Sequence, residues 1–138
     1  MPPPTNTSSD CDYIRHDNGV HEFVFKKSSR MAMDFMLKYA REVRDTLDED
    51  DFAYFLNDFR PAGFPPFGYA LKETQKLNRR YRVNHHIVQA ILIKSGPMIE
   101  LAKTFVNNAF PNGSVKFFRK DQRAEALAWL ESRIESEK

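Results

Sequence analysis

The side chains best placed for chemistry lie in residues 52 to 68, Phe-Ala-Tyr-Phe-Leu-Asn-Asp-Phe-Arg-Pro-Ala-Gly-Phe-Pro-Pro-Phe-Gly. An acid, Asp58, and a cation, Arg60, sit where an apolar run gives way to an aromatic and proline loop. In α/β folds ligands gather outside the carboxyl ends of strands, so Asp58, Phe59, Arg60, Phe64 and Phe67 form a candidate partner or ligand site. Pro61, Pro65 and Pro66 stiffen the loop and lower the ordering cost of binding, the phenylalanines offer apolar surface, and Arg60 offers charge. The same phenylalanines would serve equally to cover the end of a sheet. Ser95-Gly96-Pro97 marks a second strand-to-helix turn, and Ser95 and Gly96 join the candidate site because amides at a helix start can receive an anion.

Other constellations point away from catalysis. His85 and His86 are adjacent, and neighbours in a strand face opposite sides, so they do not chelate one ion together; His16 and His21 are distant in sequence. The run Asp48-Glu49-Asp50-Asp51 lacks the glycine and distal glutamate of a calcium loop and reads as solvated surface. There is no nucleophile elbow, phosphate-binding glycine loop or dinucleotide fingerprint. Only Asp58 among the acids falls at a strand end, so no paired carboxylates are expected in a cleft. The expectation is a protein that is not an enzyme and needs no metal or cofactor.

The elements that position these residues must come from one core. The 138 residues are 41% hydrophobic and 29% charged, enough for one domain and too few for two. The net charge of +2 is too small to imply nucleic acid. Acids dominate 41 to 58, while Lys72, Lys76, Arg79, Arg80 and Arg82 dominate the following helix, so an acidic and a basic edge are expected. The basic face lacks the aromatic interleaving that stacks single-stranded bases. Cys11 is the only cysteine, excluding an internal disulfide and a cysteine zinc site. With no apolar segment of spanning length, a soluble, cytoplasmic protein without stable membrane insertion is expected.

Residues 1 to 11, rich in proline and hydroxyls, are expected to form a flexible tail ahead of a domain spanning 12 to 138. Asn18-Gly19 between two short apolar runs signals a hairpin. Ser28 or Ser29 can cap a helix through about Leu47, with Ala32, Phe35, Met36, Tyr39, Ala40 and Val43 as its buried stripe. Residues 52 to 56 and 87 to 93 are almost continuously apolar, as in strands covered on both faces. The run 115 to 119 alternates better and suits an edge. Asp121 is expected to cap a last helix in which Ala124, Leu127, Leu130 and Ile134 recur at helical spacing. The fold class is therefore α/β: an N-terminal hairpin followed by strand-helix repeats, a mixed sheet of about five strands with four helices.

The ending Val115-Lys-Phe-Phe-Arg-Lys-Asp-Gln-Arg-Ala-Glu-Ala-Leu-Ala-Trp-Leu resembles the end of the SpoIIAA-like branch of the STAS superfamily, and the element order over about 12 to 135 resembles it too. The resemblance implies a SpoIIAA-like (STAS) sheet and a regulatory module related to anti-sigma-factor antagonists. In those antagonists the strand matching 52 to 57 leads into an Asp followed by a phosphorylated hydroxyl residue. Here Asp58 stands at the acidic position, but Phe59 and Arg60 follow it, so the phosphoswitch is not carried over.

Two functions are therefore expected. The first is a noncatalytic STAS-like regulatory module that binds a protein partner or a second copy of itself through the 58 to 68 loop. The alternative is a carrier or sensor of a small amphiphile or anionic metabolite, of SpoIIAA-like or Sec14-like type, held between that loop and the Ser95-Gly96 turn.

Overall fold

The computed structural model describes residues 5–81, 86–94, 96–111 and 113–137. Its elements run β1 (Thr5–Thr7), β2 (Cys11–Arg15), β3 (Val20–Phe25), α1 (Arg30–Asp45), β4 (Phe52–Asp58), α2 (Phe67–Arg79), β5 (His86–Ile93), α3 (Gly96–Ala109), β6 (Ser114–Arg119) and α4 (Arg123–Ser136). The fold is α/β, with one six-stranded mixed sheet and four helices. Sheet order equals chain order: β1, β2 and β3 are antiparallel neighbours, while β3, β4, β5 and β6 are parallel. Each parallel step moves one strand onward in the same direction, so the connecting helices α1, α2 and α3 share one face. The other face is covered by α4.

Two apolar layers follow from this arrangement. Along β4, Ala53 and Phe55 enter the layer beneath α1 to α3, whereas Tyr54 and Leu56 enter the layer beneath α4. Along β5, Ile87, Ile91 and Ile93 face the first layer, and Val88, Ala90 and Leu92 the second. Double-sided burial is why both strands read as continuous apolar runs instead of alternating ones. The smaller layer is closed by Leu130, Ala126 and Phe118 and by an ion pair at its edge, in which the half-exposed Arg123 of α4 donates to the buried Glu22 of β3 at 2.6 and 3.2 Å. His16 Nε2 lies 2.8 Å from the same carboxylate, which is 1% exposed.

The sheet has one strand more than the sequence suggests, because the expected tail is ordered from Thr5. Thr5–Thr7 carries no apolar alternation; it is held by polar contacts at its turn. Ser8 Oγ accepts from the Cys11 amide at 2.9 Å, and the Asp10 carbonyl accepts from the Lys26 and Lys27 amides at 2.9 and 3.1 Å. Hydrogen bonds from Ser29 and Ser9 hold the Asp10 carboxyl below the usual carboxylate range. Cys11 is fully buried in the first layer. The structure chooses between the two expected caps of α1 and moves the expected cap of α4. Ser29 caps α1 by accepting from the Ala32 amide at 3.1 Å, leaving Ser28 free to bond the Phe64 carbonyl. α4 begins after Gln122, not Asp121, and Gln122 Oε1 accepts from the Arg119 amide instead. The stripe of α4 is consequently shifted: Ala126 and Leu130 are buried and Ala124 is exposed.

The expected acidic and basic edges meet. Asp45 at the end of α1 accepts from Tyr81 at 2.7 Å and pairs with Arg80 at 3.3 Å, so the two helices offset one another's charge. Those contacts hold its carboxyl below the usual range. No helix among the described residues is long and apolar enough to cross a membrane.

One histidine links the sheet to pH. His21 of β3 stacks near Tyr13 and Phe55, with Nδ1 2.7 Å from the Tyr13 hydroxyl, and burial pushes its pKa down to about 4. The unfolded chain therefore takes up a proton that the folded one refuses. Stability fully present above about pH 6.5 should fall as pH drops through about 4, by up to about 3 kcal/mol from this group. Urea unfolding of His21→Phe beside the wild type, at roughly pH 7 and pH 4.5, should show a shallower acid loss in the variant; equal losses would remove His21 as the cause.

Candidate functional site

The loop joining β4 to α2 is anchored from within. Phe59 and Phe64 are 4% and 8% exposed. Phe59 packs on Phe25 and Phe64, with ring centroids 4.7 and 5.0 Å away, and Phe64 meets Phe105 of α3 edge-on at 5.1 Å. These two phenylalanines cover the end of the sheet, one of the two roles left open by the sequence. They turn inward because the first layer is open at the carboxyl end of β4, and burying each ring gains about 2 kcal/mol or more. Phe67, at the start of α2, packs partly against the same layer.

Hydrogen bonds fix the backbone between the rings. The Phe59 amide donates to the Leu92 carbonyl at 3.0 Å, and the Gly63 amide donates to the Phe59 carbonyl at 2.9 Å. Gly63 has φ +99°, which a side chain would strain, and a Cβ there would stand 3.4 Å from Met98 of α3. Ser28 donates to the Phe64 carbonyl. The loop is thus tied to β5, to the turn before α1 and, through Phe64 on Phe105, to α3.

Asp58 and Arg60 are brought together. Arg60 grips the carboxylate with Nε and Nη2 at 2.9 and 2.8 Å, and its own amide donates at 3.0 Å. Its Nη1 donates to the Lys120 carbonyl at 2.8 Å, joining the loop to the turn between β6 and α4. Hydrogen bonding to Asp58 raises the Arg60 pKa above its ordinary value. Beside this clamp lies an open crevice of about 530 Å³ lined by Asp58, Arg60, Pro61, Lys94, Lys120 and Asp121. Pro61 and Ala62 are exposed at its rim, and Lys94 and Lys120 are exposed. Gly96 is the exposed first residue of α3, with open space around it; Ser95, and likewise His85, lies outside the described residues. His86 stacks on Phe52 at 4.5 Å and approaches Asp50 at 3.6 Å. Among the described residues no group of three or more His, Cys, Asp or Glu side chains could hold a metal ion.

A second polar centre was not singled out from the sequence. Asn57 and Gln89, each the lone uncharged polar side chain inside an apolar strand, face the layer beneath the helices, with Asn57 Nδ2 donating to Gln89 Oε1 at 3.0 Å. Asn57 Oδ1 and Gln89 Nε2 have no partner, and neither have Thr74 Oγ1 of α2 and Arg44 Nε of α1. The four residues line one cavity of about 30 Å³, and Asn57 and Gln89 also border a second of about 20 Å³. The readable signal was an amide interrupting each of two apolar runs. For Arg44, helical spacing from Ala40 was a signal too, but its charge places it on the surface by any simple pattern.

Comparison with family models, with curated proteins and with solved structures gives no match to this chain. The site is therefore described by its own geometry.

The two kinds of anchor should separate experimentally. Phe64→Ala should cost about 3 kcal/mol of unfolding free energy. Arg60→Ala should cost about 1 to 3 kcal/mol while increasing hydrogen exchange at the Gly63 amide. Wild-type exchange in Arg60→Ala would show that the loop is held without the clamp.

Proposed function

We propose that this protein is a noncatalytic regulatory module, STAS-like in its element order and ending, that binds a protein partner or a second copy of itself through the loop after β4. The observation that carries the reading is the two-sided anchoring of that loop. Two buried rings hold it from below, and the Arg60 clamp holds it to Asp58 and to the β6–α4 turn. A segment held this way loses little freedom on binding, so contact made by its exposed residues is not spent on ordering it.

The contact surface is then Pro61, Ala62 and Pro66 together with Arg60, Lys94 and Lys120, not the phenylalanines. No carboxylate among the described residues is ion-paired with Lys94 or Lys120, so both are available to a partner's acids. Arg60 stands near the position where the antagonists carry their phosphorylated hydroxyl, and it already satisfies Asp58. The release by a phosphorylated hydroxyl at that position is accordingly not carried over to this chain. A cytoplasmic setting belongs to the same reading, because the chain's lone cysteine can form no internal disulfide.

Surface substitutions test this without disturbing the core. Ala62→Asp and Lys120→Glu should leave the melting temperature within about 2 °C of wild type, since exposed changes rarely exceed about 0.5 kcal/mol. Each should weaken capture of partner proteins, or self-association in analytical ultracentrifugation, by about tenfold or more. Retention of the same partners and the same sedimentation behaviour in both variants would overturn the proposal.

A further inference from the structure

Beneath α1 and α2 the chain buries polar groups that no described residue satisfies. Arg44 is 8% exposed, and no ion pair to it is formed among the described residues. Its Nη1 donates to Asn78 Oδ1 at 2.6 Å and its guanidinium lies 4.2 Å from the Tyr81 ring centroid, but Nε has no acceptor. Burial lowers its pKa, which marks the cost of holding a cation there without a counter-ion. Thr74, 2% exposed, and Gln89, 4% exposed, add a free hydroxyl and a free amide N–H to the same cavity. The free acceptors in the group are the Asn57 amide oxygen and the Thr74 hydroxyl oxygen, which can also donate. Turning both amides over exchanges which residue donates and which accepts, and leaves the balance unchanged.

The surroundings of these donors are apolar. Met36, Phe55 and Ile87 line the larger cavity, and Phe59, Phe64 and Phe105 line the smaller. Met36 borders both, as do Asn57 and Gln89. An unbranched methionine changes rotamer readily, so its displacement would join the two spaces. Above them, between α1 and α2, runs a surface groove of about 390 Å³ that shares Leu37 and Leu77 with the larger cavity. Lys38, Arg41, Lys76 and Arg80 line it with Asp34 and Glu73, and because Asp45 pairs with both Arg41 and Arg80 the excess of positive charge there is small.

We propose that this chamber binds a small monocarboxylate with an apolar tail. The carboxylate accepts from Arg44 Nε, the Thr74 hydroxyl and the Gln89 amide, and the tail lies past Met36 toward Phe59, Phe64 and Phe105. In the structure described here the cavities admit water-sized occupants, so binding requires Met36 and the Leu37 and Leu77 side chains to move aside. The carboxylate would supply the counter-ion that Arg44 lacks. This site uses none of the exposed residues of the loop surface proposed above, but its tail would contact Phe59 and Phe64, the rings that anchor that loop.

Hexanoate is a suitable probe, with 1-hexanol as the neutral control, read by nitrogen-edited NMR and thermal melting of the full chain. Hexanoate should shift the Arg44 Nε–H and the Asn57 and Gln89 side-chain amides, and should raise the melting temperature with concentration. Hexanol should bind about tenfold more weakly or worse. Thr74→Val, nearly the same shape, should weaken hexanoate about tenfold while keeping the fold, which covers the case in which an Arg44→Met chain fails to fold. Unmoved signals at millimolar hexanoate, equal binding of hexanol, or full binding by Thr74→Val would each overturn the proposal.

Discussion

A strand covered on both faces gives its polar side chains no water, and that constraint shapes this molecule. β4 and β5 are such strands, and β3 is buried in the same way at Val20 and Glu22. Each polar residue placed on them needs a partner from inside the protein. Asp58 is met by Arg60 two residues later, and Glu22 by Arg123 from the end of the chain. Asn57 is met by Gln89 from the next strand, but incompletely. The first solution fixes a loop and the second seats a helix. The third leaves free hydrogen-bonding capacity in an apolar space. The regions of greatest chemical interest are thus the three places where the sheet had to accommodate polarity.

Much of the architecture was legible because the responsible signals are local. Asn18-Gly19 makes the hairpin with Gly19 at φ +97°. Ser29 starts α1, and the continuous apolar runs of β4 and β5 announce strands buried on both sides. What was not legible depends on partners distant in sequence. Thr5–Thr7 has a polar composition that reads as tail, yet Asp10 and Lys26 fasten its turn. Arg44 looks like one more charge in an acidic stretch, and only Asn78 on the neighbouring helix and Tyr81 just beyond its end draw it inward. The loop phenylalanines posed an even choice between contact surface and core, and the open end of the first layer decides it for Phe59 and Phe64.

The candidate site was legible in location more than in chemistry. Asp58 and Arg60 do stand at the carboxyl end of a central strand, as the strand-loop pattern suggests. The partners that complete the crevice, Lys94, Lys120 and Asp121, come from two other segments, so no local motif could have gathered them. The same holds for the chamber. Its four polar residues come from α1, β4, α2 and β5, and their convergence is a property of the folded sheet and of nothing shorter.

The identity between sheet order and chain order has a consequence for how the protein is made. Every strand pairs only with the strands before and after it in sequence, so a chain emerging from its amino end can add one strand or one helix at a time to a surface already formed. The face beneath α4 is the exception. It stays uncovered until the last element arrives, and Glu22 then meets an arginine 101 residues away. The topology thus allows stepwise addition across the sheet, with the face beneath α4 closed only after the strands it covers.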